Sequence, residues 1–173
     1  LIIDEEQKFG VKAKEKLKAR REKLDVLTLT ATPIPRTLNL AMLGIREISI
    51  IDTPPTNRLP IITEILDWDE ETIKMAILRE LSRDGQVFYI YNDVKNMKEK
   101  LKELKEMLPD FVKIEFINGQ LPPKEIKDKL LRFENGQFDI LIASTIIENG
   151  IDVGNANTIL IENFTGLGLS QVY

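Results

Sequence analysis

Short apolar runs alternate with longer polar segments along the chain. The runs are rich in Val, Ile and Leu, and several are continuously apolar, which is typical of parallel strands that are buried on both faces. They predict strands at residues 1–3, 26–29, 48–51, 87–91, 112–116, 140–143 and 158–161, with a weaker strand at 62–66.

The polar segments between these runs have helical periodicity. Asp69 and Asp93 are typical N-cap residues, and the mixed Lys and Glu residues of 95–105 are expected to form a solvated surface. The pattern predicts helices at residues 12–23, 35–43, 69–82, 93–107 and 123–133. Strands that alternate with helices predict an α/β protein with mainly parallel sheets.

A proline-rich segment interrupts this alternation. Residues 52–60 contain three prolines and no periodicity, so we expect an extended connection there. We therefore predict a first domain over residues 1–53, a linker over 54–60 and a second domain over 61–173. Because the chain starts within a predicted strand and ends within a predicted helix, we also expect it to be part of a longer protein.

Composition excludes several kinds of site. The 173 residues include no Cys and no His, which rules out disulfides, thiolate metal sites and His-based acid–base chemistry. The net charge of -4 gives no support for a basic coat that binds nucleic acid, so any such binding must come from local geometry. No apolar run approaches the roughly 20 residues of a membrane span, and we expect a cytoplasmic protein without a membrane partner.

Acidic residues directly follow the first predicted strand. Ligands of open α/β sheets bind beyond the carboxyl ends of the strands, and carboxylates there can hold hydrated Mg²⁺ and orient a water molecule. The alternative is a solvated acidic turn after a core strand. The candidates are Asp4, Glu5, Glu6 and Gln7.

Other polar residues occupy equivalent places after later strands. Thr30 and Thr32 follow the second strand, where the alternative is a helix cap. Gly119 and Gln120 follow the strand at 112–116, where the alternative is an ordinary turn. The strand at 140–143 is followed by Thr145, Gly150 and Asp152, and a hydroxyl there could lie where a short helix points its amides at an anion. The alternative is a simple connection between strands.

The order of these elements resembles the motor core of superfamily 2 helicases and translocases, from the Walker B motif onward. The run at 28–38, Thr-Leu-Thr-Ala-Thr-Pro-Ile-Pro-Arg-Thr-Leu, is similar to the branch that contains the transcription-repair coupling factors and the RecG-type branched-DNA helicases. The stretches at 50–55, 85–92 and 155–162 favour the coupling-factor family, and 168–173 resembles the segment before motif VI. The resemblance implies parts of two RecA-like P-loop NTPase domains with mainly parallel sheets flanked by helices.

The resemblance also implies a role for each candidate, with ATP and Mg²⁺ as cofactors. Asp4 would hold Mg²⁺ through water and Glu5 would activate the attacking water, while Glu6 and Gln7 would couple that site to the cleft between domains. Thr30 and Thr32 would relay the nucleotide state. Gly119, Gln120, Thr145 and Arg36 would contact DNA, and Gly150 and Asp152 would face the nucleotide.

The implied activity is that of an ATP-dependent translocase on double-stranded DNA that displaces stalled RNA polymerase and couples transcription to excision repair. Contacts with the polymerase and with repair proteins would lie outside these residues. Since the 173 residues contain neither a P-loop lysine motif nor the arginine of motif VI, we expect the chain alone to lack ATPase activity. The alternatives are a RecG-type helicase and, from another class, a non-catalytic nucleotide-binding, DNA-binding or interaction module.

Overall fold

A computed structural model describes residues 1–5, 9–10, 12, 24–30, 47–53, 60–144 and 153–167. The described residues within Leu1–Ile62 form one compact unit, and those within Thr63–Leu167 form a second. The predicted linker lies almost entirely outside the described residues, so its boundaries stay a prediction. No helix in the described part of the chain is long and apolar enough to span a membrane.

The first unit contains a pair of parallel strands. Strand β1 covers Ile2–Asp4 and β2 covers Leu27–Leu29, and Ile3 faces Thr28 in the register. Ile3 is the buried residue of β1. The helices predicted at 12–23 and 35–43 lie outside the described residues except for residue 12, which is helical.

The strand predicted at 48–51 is wrong. These residues have no regular secondary structure, and Ile50 and Ile51 are 81% and 90% exposed. A largely apolar run indicates a preference for burial, but a strand also needs a neighbouring strand to pair its backbone hydrogen-bonding groups. No described strand pairs with this segment.

The second unit alternates helices and strands. Its first helix, α1, begins after Asp69, whose Oδ2 accepts a hydrogen bond from the Thr72 amide at 2.9 Å. The elements in chain order are α1 Glu70–Leu81, β3 Val87–Ile90, a 3₁₀ turn Val94–Asn96, α2 Met97–Met107, β4 Ile114–Ile117, α3 Pro123–Glu134, β5 Ile140–Ala143, β6 Thr158–Ile161 and a second 3₁₀ turn Phe164–Gly166.

Strands β3 to β6 form one parallel sheet in the order β4-β5-β3-β6. Because successive side chains of a strand point to opposite faces, Val87 and Tyr89 enter one hydrophobic cluster and Phe88 enters the other. Helices α1 and α2 cover the first face, and α3 covers the second, where the rings of Phe88 and Phe133 meet edge to face at 4.9 Å.

Two predicted elements of this unit need correction. The helix predicted from residue 93 starts as an α-helix only at Met97, because the Asp93 carboxylate caps a 3₁₀ turn through the amides of Lys95 and Asn96. The weak strand predicted at 62–66 is absent, and Ile62 and Ile65 are 87% and 76% exposed. The predicted α/β class, with mainly parallel sheets flanked by helices, is confirmed.

Candidate functional site

The carboxyl edge of the first sheet brings together three of the predicted residues. Asp4 is the last residue of β1 and lies opposite Leu29, the last residue of β2. The next amide, that of Glu5, donates to the Leu29 carbonyl at 3.0 Å, so Glu5 and Thr30 leave neighbouring strands at the same edge.

The backbone of Glu5 is in the left-handed region, with φ 48°. A residue with a Cβ atom adopts this conformation at a cost, and such residues cluster at functional sites. Here the turn ends the strand ladder immediately after Asp4. The chain therefore changes direction at Glu5, the residue predicted to activate the attacking water.

The carboxylates at this edge are suitable for a hydrated Mg²⁺. Asp4 is exposed and Glu5 is half-buried, so water can reach both. Mg²⁺ in nucleotide sites is bound through one or two carboxylates together with substrate phosphates and water. The described residues contain no group of three or more potential metal ligands that would form an all-protein cage.

The remaining predictions for the first unit and for the loop after β5 lie outside the described residues. They concern the following positions: Glu6, Gln7, Thr32, Arg36, Thr145, Gly150 and Asp152.

The carboxyl edge of the second sheet carries a buried turn. Asn118 follows β4 directly and is 7% exposed. Its Oδ1 accepts a hydrogen bond from the Gln120 amide at 3.0 Å, and its backbone carbonyl accepts one from Leu121 at 3.2 Å. This turn leaves Gly119 and Gln120 exposed at the sheet edge.

Ser144 lies beside this turn and was not among the predicted site residues. Ile117 pairs with Ala143, so Asn118 and Ser144 follow adjacent strands. Ser144 is 5% exposed, and its Oγ has no hydrogen-bond partner in the described structure. A buried hydroxyl without a partner costs about 1–3 kcal/mol. The strand-end position was the sequence signal that could have identified it.

A buried lysine also lies near this edge, which corrects the expectation of a solvated surface at 95–105. Lys100 is 6% exposed, and its Nζ lies 2.8 Å from Glu103 and 3.1 Å from Glu162. The ammonium also lies over the rings of Trp68 and Tyr91, 4.7 and 5.3 Å from their centroids. Burial would lower the pKa of Lys100, but the two carboxylates outweigh it and raise the pKa.

Glu162, which follows β6, joins this lysine to the sheet. The Tyr89 hydroxyl donates to Glu162 Oε2 at 2.6 Å, and burial together with this carboxylate raises the pKa of Tyr89. Helical spacing could have identified Lys100, because it lies three residues after Met97 and four before Leu104, both of which are buried.

Both sheets therefore present polar groups beyond the carboxyl ends of parallel strands. In the first unit these groups are carboxylates and a hydroxyl, which suit a metal-bound phosphate and an attacking water. In the second they are exposed turn amides beside a buried hydroxyl, which suit phosphate oxygens.

Comparisons of the sequence with known proteins find close relatives. A family model described as the helicase conserved C-terminal domain matches residues 71–172. Over all 173 residues, the chain is 53% identical to the transcription-repair-coupling factor of Staphylococcus haemolyticus (strain JCSC1435) and 51% identical to that of Staphylococcus aureus (strain USA300). It spans 15% of the length of each of these two relatives.

Solved structures give the same result at the level of the fold. The structure of RecG bound to a three-way DNA junction matches with a TM-score of 0.70 and 34% identity, over 99% of this chain and 22% of that chain. The L327V variant of S. cerevisiae Dbp5, bound to RNA and ADP BeF3, matches with a TM-score of 0.61 over 91% of this chain and 42% of that chain. At 16% identity, the likeness to Dbp5 shows the fold alone.

Proposed function

The chain belongs to the helicase family whose conserved C-terminal domain covers residues 71–172, and from this premise we propose that it is the central part of an ATP-dependent translocase on double-stranded DNA. The proposal assigns the described residues of the first unit to the end of the first motor domain, and those of the second unit to most of the second motor domain.

One geometric observation carries the proposal. The register of β1 and β2, continued by the Glu5 amide bond to Leu29, sets Asp4 and Glu5 beside Thr30 at one sheet edge. A carboxylate that acts in hydrolysis can be coupled directly to a hydroxyl that senses the nucleotide when the two leave neighbouring strands at one edge. If the acidic residues formed only a solvated turn, there would be no reason to expect a hydroxyl residue beside them.

ATP and Mg²⁺ are the proposed cofactors. Asp4 would hold Mg²⁺ through water, and Glu5 would orient and deprotonate the attacking water, with Glu6 and Gln7 next along the chain. Mg²⁺ would neutralise charge on the phosphates. Gly150 and Asp152 would face the nucleotide from the second motor domain.

Double-stranded DNA is the proposed track. The Asn118 turn exposes Gly119 and Gln120, so the Gly119 backbone amide and the Gln120 side-chain amide could bind phosphate oxygens, and Thr145 and Arg36 would add further contacts. Phosphate contacts position a protein without reading bases, which suits a motor that moves along any sequence. They also suit a chain whose net charge is -4, since they need no basic coat.

The proposed partners of the whole protein are RNA polymerase and excision-repair proteins. The support is the name of relatives that share 51–53% identity with this chain over its full length. In this role the protein would work in the cytoplasm, displace a stalled polymerase and help recruit repair. Because the chain spans 15% of those relatives, these contacts would be made elsewhere in the protein.

A RecG-type helicase is the second candidate, supported by the 34% identity to RecG over 99% of this chain. The two candidates share the same motor chemistry and differ in DNA substrate. Displacement of a stalled polymerase by the full-length protein would favour the first candidate. Unwinding of a three-way junction without displacement would favour the second.

The decisive experiment changes Glu5 to Gln in the full-length protein. ATP binding should persist while hydrolysis falls by about 10²-fold or more, because Glu5 acts on the water rather than on the nucleotide. Glu47→Gln removes one exposed carboxylate from the same unit and is the matched control. Hydrolysis at the wild-type rate by Glu5→Gln would make the catalytic assignment wrong. A full-length protein without any ATPase would instead favour a non-catalytic binding module.

A further inference from the structure

A pocket of about 470 Å³ opens at the edge of the second sheet opposite to the candidate site. Ile114, the first residue of β4, lines it, whereas Asn118 lies beyond the other end of the same strand. Val112 and Phe138 add apolar wall, and all three of these wall residues are buried. Within the second unit, the pocket is therefore separate from the Asn118 turn.

Arg132 is held in a fixed orientation in this pocket. Its guanidinium lies 4.5 Å from the centroid of the Phe138 ring, and its Nε donates to Gln137 Oε1 at 3.0 Å. The two terminal amino groups are left to bind an oxyanion. A planar guanidinium positioned in this way is suited to a bidentate pair with a carboxylate.

The charges around Arg132 also favour an anion. Lys105 and Lys113 line the same pocket, and among the described residues none of the three cations has a carboxylate within ion-pair distance. Of the two acidic lining residues, Glu115 is already paired with Lys129 at 2.9 Å. Lys105 and Arg132 do lie in the last turns of α2 and α3, where cations complement the helix ends, but that role leaves their outward-facing hydrogen-bond donors free.

An exposed aromatic residue lies next to two of the lining residues in the chain. Phe111 lies between the lining residues Asp110 and Val112 and is 71% exposed. Phenylalanine and arginine are enriched in protein interfaces, where an apolar anchor lies beside a charged group. A nucleic-acid phosphate would use the cations but would leave Phe111 and the apolar wall in water.

We propose that this pocket binds a short segment of a partner protein that carries an acidic residue next to an apolar one. The acidic side chain pairs with Arg132, with Lys105 and Lys113 adding attraction, and the apolar side chain covers Phe111 and the wall. This binding leaves the Asn118 turn free, because it uses the opposite edge of the sheet.

A random peptide library displayed on phage provides the test, with the immobilised full-length protein as bait. The selected peptides should contain an acidic residue adjacent to an aromatic or aliphatic one. Their affinity, measured with synthetic copies by fluorescence anisotropy, should fall by about tenfold or more in Arg132→Gln and be partly kept in Arg132→Lys. Lys102→Gln removes one exposed positive charge outside the pocket and should bind as the wild type does.

Lys113→Gln and Phe111→Ser provide a second route if Arg132→Gln fails to fold, because both side chains are exposed. Each should weaken peptide binding while leaving the thermal midpoint unchanged. The proposal is overturned if no peptide is enriched, if the enriched peptides lack acidic residues, or if these variants bind them normally. It is also overturned if inorganic phosphate or duplex DNA binds with the same dependence on Arg132 and no peptide does.

Discussion

The carboxylate of Glu80 packs directly against the α-carbon of Gly85, so that a Cβ atom on Gly85 would lie 1.8 Å from Glu80 Oε1. The same carboxylate accepts hydrogen bonds from Arg83 and from Thr158, the first residue of β6. Glu80 thus ties the end of α1 to an edge of the sheet, and only glycine leaves space for it.

Gly85→Ala should destabilise the chain by about 1–3 kcal/mol, because the methyl group must displace a buried carboxylate from its partners. Thermal unfolding checks this. Gly154→Ala is the matched control, since a Cβ atom there would meet nothing within 4 Å. Equal thermal midpoints for the two variants would show that Glu80 moves aside at little cost.

Glu80 should make stability depend on acid pH. Burial alone would raise its pKa, but the hydrogen bonds from Arg83 and Thr158 outweigh burial and lower the pKa. A carboxyl whose pKa is lowered in the folded state stabilises the fold when the pH is above its unfolded-state pKa of about 4.3. This stabilisation is lost as the pH falls through the folded-state pKa.

The measurement compares thermal midpoints at neutral and acid pH. Acidification should lower the thermal midpoint less in Glu80→Gln than in the wild type. The Glu106 side chain is 69% exposed, so acidification should lower the midpoint of Glu106→Gln as much as that of the wild type. An equal decrease of the thermal midpoint in Glu80→Gln and in the wild type would contradict the prediction.

Lys100→Met should destabilise the chain by about 3 kcal/mol, since it leaves the Glu162 carboxylate, which also accepts the Tyr89 hydrogen bond, without its cation. Lys102→Met breaks an ion pair whose side chains are 77% and 69% exposed and should cost less than about 1 kcal/mol. Chemical denaturation measures both. Adding Glu162→Gln to Lys100→Met should recover part of the loss, and full additivity would contradict the pairing.

Trp68 provides an optical test of the same cluster. It is the single tryptophan of the sequence, and the Lys100 ammonium lies 4.7 Å from its ring. Its fluorescence should therefore change in Lys100→Met and stay constant in Lys102→Met.

Thr30 and Thr32 should matter for movement more than for hydrolysis. A lost hydroxyl hydrogen bond is worth about 0.5–1.5 kcal/mol, which is too little to unfold a domain but enough to unbalance two conformations. In the full-length protein, the double change to alanine should keep DNA-stimulated ATPase within a few fold and impair displacement of a DNA-bound obstacle much more. If both activities fall in parallel on one preparation, the relay assignment fails.

Continuity of the apolar pattern explains which strands could be predicted. The runs at 87–91, 140–143 and 158–161 form β3, β5 and β6 because each lies in a sheet with neighbours on at least one side. The runs at 48–51 and 62–66 are also largely apolar but remain exposed and unpaired among the described residues. Hydrophobicity shows what a residue prefers, while pairing depends on distant segments.

The candidate site was predictable where it depended on strand ends. Asp4, Glu5 and Thr30 meet because parallel strands finish at one edge, and their roles stay predictions. Lys100 was not recognised because its charge suggested a surface position, although helical spacing puts it on the buried face. Asn118 was not among the predicted site residues, although Gly119 and Gln120 were, and its burial depends on a contact with Met97 that local sequence does not reveal.

The strand order has a consequence for synthesis of the chain. Strand β3 pairs with β5 and β6 but not with β4, and β4 pairs with β5 alone. Until Ile140 and its neighbours leave the ribosome, neither β3 nor β4 has a native partner strand, and their apolar residues lack their native neighbours. Assembly of this sheet therefore depends on β5, which is synthesised after β3 and β4. A nascent chain whose synthesis pauses before β5 would be the form most exposed to chaperones and to misassembly.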